Sequence, residues 1–130
     1  MKPYDQKSVI SGLKIINHNL DIEEIVMYYR NALALVFTTL HEGYGLPIIE
    51  AMACGCPVVT SNVTACVEVA GDAALTVNPR SVEEIKQAML VMMDDEEREK
   101  LYPLMFKQLK KFGWNKSAAE HKAVFESLTK

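Results

Sequence analysis

Three short apolar runs, Leu33-Ala34-Leu35-Val36-Phe37, Pro57-Val58-Val59-Thr60 and Ala74-Leu75-Thr76-Val77, are each separated from the next by enough chain for a loop and a helix. None shows the strict alternation of a strand with one solvated face, so each reads as a strand buried on both sides. Parallel strands need long crossover connections, usually helical, and those helices cover the sheet. The alternation therefore predicts an α/β fold of repeated βαβ units around a parallel sheet, with a further strand candidate at Gly12–Ile16.

The helical segments carry their own start and stop signals. Asp21 followed by Glu24 forms a capping-box pattern ahead of a helix over Asp21–Ala34, whose apolar face is Ile22, Ile25, Val26 and Tyr29. Pro47 opens a short helix that Gly55 closes. Ser81 with Glu84 as its reciprocal partner opens another, with Val82, Ile85, Met89 and Met92 as the expected apolar stripe. Asp94-Asp95 reads as a helix cap, and Pro103 predicts a bend or break in the helix that follows. At the C-terminal end Trp114, Ala118, His121, Phe125 and Leu128 fall on one stripe expected to face the core, with His121 partly buried and hydrogen-bonded. Met89, Met92, Met93 and Met105 are expected to fill core gaps.

Composition narrows the function. The chain has 130 residues, 49% of them hydrophobic, and a formal net charge of −3 with 14 Lys plus Arg against 17 Asp plus Glu. There is no basic run beyond Lys110-Lys111, hence no footprint for a nucleic-acid backbone. No apolar run reaches the roughly 18–20 residues of a membrane span, and Met1-Lys2-Pro3-Tyr4-Asp5 lacks a secretory signal's apolar stretch, so a cytoplasmic location is expected. Three cysteines, two of them at Cys54 and Cys56, favour reduced thiols, and Cys-x-Cys with Cys66 and scattered histidines is poor zinc spacing, so no metal site is expected.

The stretch His41-Glu42-Gly43-Tyr44-Gly45-Leu46-Pro47-Ile48-Ile49-Glu50 follows a strand and runs into a helix N-terminus. Ligands of open α/β sheets bind beyond the carboxyl ends of the strands. Here two glycines permit close backbone approach, and first-turn amides offer donors at the positive end of a dipole, a corner suited to a phosphate or diphosphate. Glu42 and Glu50 would repel a phosphate, but an ionised carboxylate accepts hydrogen bonds from hydroxyls. Two hydroxyl-binding carboxylates flanking a diphosphate describe a nucleotide sugar, with ribose at one end and hexose at the other. His41, beside Glu42, either lines the sugar site or meets solvent.

The run Glu42-Gly43-Tyr44-Gly45-Leu46-Pro47-Ile48-Ile49-Glu50-Ala51-Met52-Ala53-Cys54-Gly55-Cys56-Pro57-Val58-Val59 resembles the Glu-x7-Glu signature of retaining group 1 glycosyltransferases of the GT-B fold. The likeness continues through Ser61-Asn62-Val63, Glu68-Val69-Ala70-Gly71-Asp72-Ala73-Ala74, Val77-Asn78-Pro79 and Phe112-Gly113-Trp114. The resemblance implies a Rossmann-like donor domain in which Glu42 contacts the donor sugar as the catalytic-site carboxylate. Gly43, Tyr44, Gly45 and Leu46 would lie against sugar and phosphate, and Glu50 would take the ribose hydroxyls. It further implies a UDP-, GDP- or ADP-sugar as substrate, transfer with retention, and no metal or other cofactor.

Family members carry further βα units and an acceptor domain before this region, whereas only 11 residues precede Gly12. Residues 1–130 are thus expected to form a single partial Rossmann-like domain, truncated at its N-terminal side and helical at its C-terminal end. The alternative is a non-catalytic module that works only with a partner chain carrying the acceptor domain. In either case the chain alone is expected to be inactive, and an incomplete sheet predicts a homodimer or docking on a partner.

Overall fold

A parallel three-stranded sheet forms the middle of the molecule in a computed structural model that describes residues 16 and 19–129. Its strands are β1 (Leu35–Phe37), β2 (Val58–Ser61) and β3 (Leu75–Val77), in spatial order β1-β2-β3. Leu35 pairs with Val58 and Phe37 with Thr60, while Val59 pairs with Leu75 and Ser61 with Val77. All four residues of β2 are buried, which is why its sequence reads as an unbroken apolar run ending in hydroxyls. The strand expected at Gly12–Ile16 falls, but for Ile16, outside the described residues.

Helices α1 (Ile22–Asn31), α2 (Leu46–Ala53), α3 (Ala65–Ala70), α4 (Val82–Val91), α5 (Asp95–Leu109) and α6 (Trp114–Leu128) connect and flank the strands. The fold is thus the α/β arrangement with a parallel sheet that the alternation predicts, and it is consistent with the truncated Rossmann-like domain that the resemblance implies. Asp21 and Glu24 make both halves of the capping box, at 2.8 and 3.1 Å. Helix α2 ends in a Schellman motif: Cys56 N–H bonds Ala51 O at 2.9 Å, Gly55 N–H bonds Met52 O at 3.0 Å, and Gly55 takes φ +78°.

The core joins Ile48, Ala51 and Met52 of α2 to Val58 and Val59 of β2, Cys66 and Val69 of α3, and Leu101 and Met105 of α5. Each valine or isoleucine fully buried here contributes about 1.5–3 kcal/mol of transfer free energy. Helix α2 packs on β1, β2, α3 and α5, so the loop leading into it is anchored from four sides.

Several expectations are corrected. Of the bend or break expected at Pro103, the break is not found: α5 continues through it, since Pro103 and the Glu99 carbonyl it cannot bond belong to exposed residues, where water can take the lost bond. Ser81 Oγ accepts from Glu84 N–H, but the Glu84 carboxylate bonds Asn78 N–H at 2.8 Å instead of returning to Ser81. On α4 the covered residue is Ala88, with Ile85 partly so and Met92 buried just past its end, while Val82 and Met89 are exposed. Met105 is buried as expected and Met93 is not. Arg98 reaches back from α5 to donate to Met92 O at the end of α4.

The largest departure is α6, which buries no residue. Trp114, Phe125 and Leu128 are 84%, 66% and 75% exposed, and His121 is exposed with Nδ1 2.7 Å from Ser117 O. Periodicity identifies an apolar stripe but not what covers it. Helix α3 carries no sequence signal at all: its six residues include Val67 and Val69, and no side chain caps its N-terminus.

Candidate functional site

The loop between β1 and α2 lies at the carboxyl end of the sheet, where parallel strands leave room for ligands. Its shape is set by Gly45, whose φ of +86° lets the chain turn directly into α2. A Cβ at Gly45 would stand 3.3 Å from Ile48 Cδ1, whereas one at Gly43 would meet no atom within 4 Å. Gly43 therefore keeps open space beside the backbone.

Glu42 is half-buried and turns back on its own loop: Oε1 accepts from Gly43 N–H at 3.0 Å and from Tyr44 N–H at 3.4 Å. The amides that the sequence offers to an anion are here satisfied by a carboxylate of the same loop. Ile48 N–H is likewise satisfied, by Gly45 O at 3.0 Å. Tyr44 and Leu46 are exposed, at 55% and 48%.

Glu50 is exposed on α2, with its carboxylate near the Tyr29 phenol of α1. Burial first, and then the Glu50 carboxylate, push the Tyr29 phenol above its ordinary value. Glu42 and Glu50 thus sit in different surroundings, the first within its loop and the second against α1. His41 is exposed.

Gly43, Tyr44, Leu46 and Ile49 also form one wall of a cleft of about 920 Å³. The opposite walls are Ala65, Glu68 and Val69 of α3 and Lys111, Phe112 and Trp114 at the α5–α6 junction. Neither Glu42 nor Glu50 lines it. The cleft is mainly apolar with Glu68, Lys111, Lys116 and Glu120 among its lining residues, a composition suited to holding a small molecule.

The β1 loop is joined to the β2 loop by side chains where the backbone ladder stops. Thr60 Oγ1 donates to Phe37 O at 2.9 Å and Ser61 Oγ to Thr39 O at 2.5 Å. Thr39 Oγ1 lies 3.7 Å from Cys66 Sγ, and Glu42 N–H donates to Thr64 Oγ1 at 3.3 Å. Thr60 and Ser61 are fully buried, where an unpartnered hydroxyl would be costly. Thr64 has φ +55° and ψ −148°, a conformation that costs a non-glycine residue about 1–3 kcal/mol.

Thr64 and Gln108 escape a reading of the sequence, and Tyr29 was legible only as part of the apolar face of α1. Gln108 is buried, and its Nε2 donates to Val69 O at 2.9 Å and Glu68 O at 3.2 Å, tying the end of α3 to α5. A glutamine in a charged helix and a threonine in a polar loop give no pattern to find. The three cysteines are free thiols; Cys56 and Cys66 are buried, and burial raises the Cys56 thiol. Among the described residues no group of three or more His, Cys, Asp or Glu is placed to hold a metal ion, and no helix is long and apolar enough to cross a membrane.

Residues 5–95 match the family model described as glycosyl transferases group 1. The chain is 43% identical over 93 residues to O-antigen chain mannosyltransferase B of Escherichia coli, covering 71% of this chain and 24% of that protein. It is 35% identical over 97 residues to the serotype-specific mannosyltransferase WbdA of Escherichia coli, covering 74% of this chain and 12% of that one. With the MMP alpha-(1->4)-mannosyltransferase of Mycolicibacterium hassiacum the identity is 34% over 124 residues, 90% of this chain and 30% of the other. The chain thus spans a third or less of the length of these relatives.

Proposed function

Since the chain belongs to the group 1 glycosyltransferases, we propose that it is the donor-binding part of a GT-B enzyme that transfers a sugar, with mannose as first candidate, from a nucleoside diphosphate to an acceptor hydroxyl. The observation that carries this reading is the β1–α2 loop, with Glu42, an open-faced Gly43, the αL turn at Gly45 and Glu50 one turn into the helix.

In this reading the diphosphate faces the backbone at Gly43, Tyr44, Gly45 and Leu46, with amides in place of a metal ion. Glu42 exchanges its own loop amides for hydroxyls of the donor sugar, and Glu50 takes the ribose hydroxyls beside Tyr29. Transfer breaks the bond between the anomeric carbon and the diphosphate oxygen. The acceptor oxygen bonds to the same face of that carbon and passes its proton to the departing diphosphate, so configuration is retained. Positioning and stabilisation of the leaving group supply the rate, and the two carboxylates do not act as a glycosidase pair. The acceptor domain, elsewhere in the protein or on a separate chain, completes the site. Free thiols fit a cytoplasmic location.

The test is calorimetric titration with GDP-mannose, UDP-glucose and ADP-glucose. Binding of one of them at up to millimolar concentration, weakened in Glu50→Gln, is the expected result; no binding by any of them overturns the reading. Transfer by the isolated chain would overturn the second expectation, that it needs an acceptor-bearing partner. Sedimentation tests the proposed homodimer or docking, for which the exposed apolar residues of α6 are the support.

A further inference from the structure

Thr64 is the only described non-glycine residue with positive φ, and the conformation it holds is one that glycine adopts freely. A strained residue persists where its side chain does something that glycine cannot. Its hydroxyl does not cap α3, the helix it precedes. The bond it makes is to the β1 loop, where Oγ1 accepts from Glu42 N–H at 3.3 Å.

That bond is the outermost link of the hydroxyl seam. The backbone ladder between β1 and β2 ends at the pair Phe37–Thr60. Beyond it Thr60 holds Phe37 O, Ser61 holds Thr39 O, and Thr64 holds the amide of Glu42 itself. The first two links are buried and structural. The third is exposed and reaches the backbone of the residue whose carboxylate is assigned to the donor sugar.

We propose that Thr64 is a positioning residue that holds Glu42 in register for the donor's sugar, an inference that rests on the donor-site reading above. It acts on the sugar-dependent part of affinity and leaves the nucleoside part to Glu50, which is held separately on α2 near Tyr29.

The experiment compares the affinity of the full chain for the sugar nucleotide of the panel that binds best with its affinity for the parent nucleoside diphosphate, in Thr64→Ser, Thr64→Ala and Thr64→Gly. Thr64→Ser keeps hydroxyl and strain and should keep the affinity ratio. Thr64→Ala keeps the strain alone, and Thr64→Gly removes both; each should lower the ratio about two- to tenfold, the loss expected for one hydrogen bond. Nucleoside diphosphate affinity should stay constant in all three, and the melting temperature of Thr64→Gly should equal or exceed that of the unaltered chain. Unchanged ratios in Thr64→Ala and Thr64→Gly, or a fall in Thr64→Ser equal to theirs, overturn the role of Thr64 while leaving the donor site standing. Failure of the unaltered chain to bind any of the panel overturns both.

Discussion

Replacing Gln108 by Leu should destabilise the chain by about 2–4 kcal/mol, because α3 ends on carbonyls with no partner in its own helix. Glu68 O and Val69 O receive the Gln108 amide instead, at 3.2 and 2.9 Å, and Gln108 Oε1 accepts from Lys111 Nζ at 2.7 Å. Leucine removes both donated bonds while the Val69 carbonyl stays buried, and an unsatisfied buried polar group costs about 1–3 kcal/mol. For a chain of this size that amounts to a fall in melting temperature of about 7–14 °C. Urea unfolding followed by circular dichroism gives the free energy directly. Gln108→Glu, which can donate only when protonated, should be at least as destabilised at neutral pH and recover in part on acidification. A loss below about 0.5 kcal/mol in Gln108→Leu would show that the end of α3 does not depend on this bond. The consequence for the site is indirect but specific, since α3 starts at the residue after Thr64.

The Tyr29 phenol should ionise above its ordinary value of 10.0, and Glu50→Gln should bring it down only part of the way, since burial is the larger cause. A folded-state value raised above the unfolded one means that this contribution to stability is complete below pH 10 and is lost as pH climbs through the folded value. Ultraviolet titration of the phenolate checks both statements, and a Glu50→Gln spectrum identical to that of the unaltered chain would contradict them. Gly43→Ala should leave stability within about 0.5 kcal/mol, as its Cβ meets nothing, yet weaken sugar-nucleotide binding by occupying the space beside the loop. Gly45→Ala should lose about 1–2 kcal/mol, because alanine is strained at φ +86°.

The parallel sheet was legible because β2 is covered on both faces, so burial alone dictates its composition. The caps at Asp21 and Asp94 and the glycine stop at Gly55 were legible because each is a local hydrogen-bonding or conformational requirement. Stripes were read less well. On α4 the apolar pattern overestimates what is covered, and on α6 it marks a face that nothing among the described residues covers. Pro103 does not break α5, because a proline's lost bond is severe only where water cannot replace it.

In the candidate site, the residue types and spacing of the loop and its two carboxylates could be read from the sequence. The links that hold the loop could not. Thr64, Ser61 and Gln108 act across 22, 22 and 39 residues of chain, a separation with no period to detect. Glu42 folding onto its own amides was equally invisible, because a short polar loop admits many conformations.

In the proposed donor site Glu42 and Glu50 divide the donor between them, and the direct measurement is a calorimetric cycle over the unaltered chain, Glu42→Gln and Glu50→Gln, each titrated with a sugar nucleotide and its nucleoside diphosphate. Glu50→Gln should weaken both ligands about tenfold to a hundredfold, the range for charge-assisted hydrogen bonds. Glu42→Gln should bring the two affinities together while leaving the nucleoside diphosphate bound as well as before or better. Equal effects of the two substitutions on both ligands, or no effect of either, would contradict the division of roles.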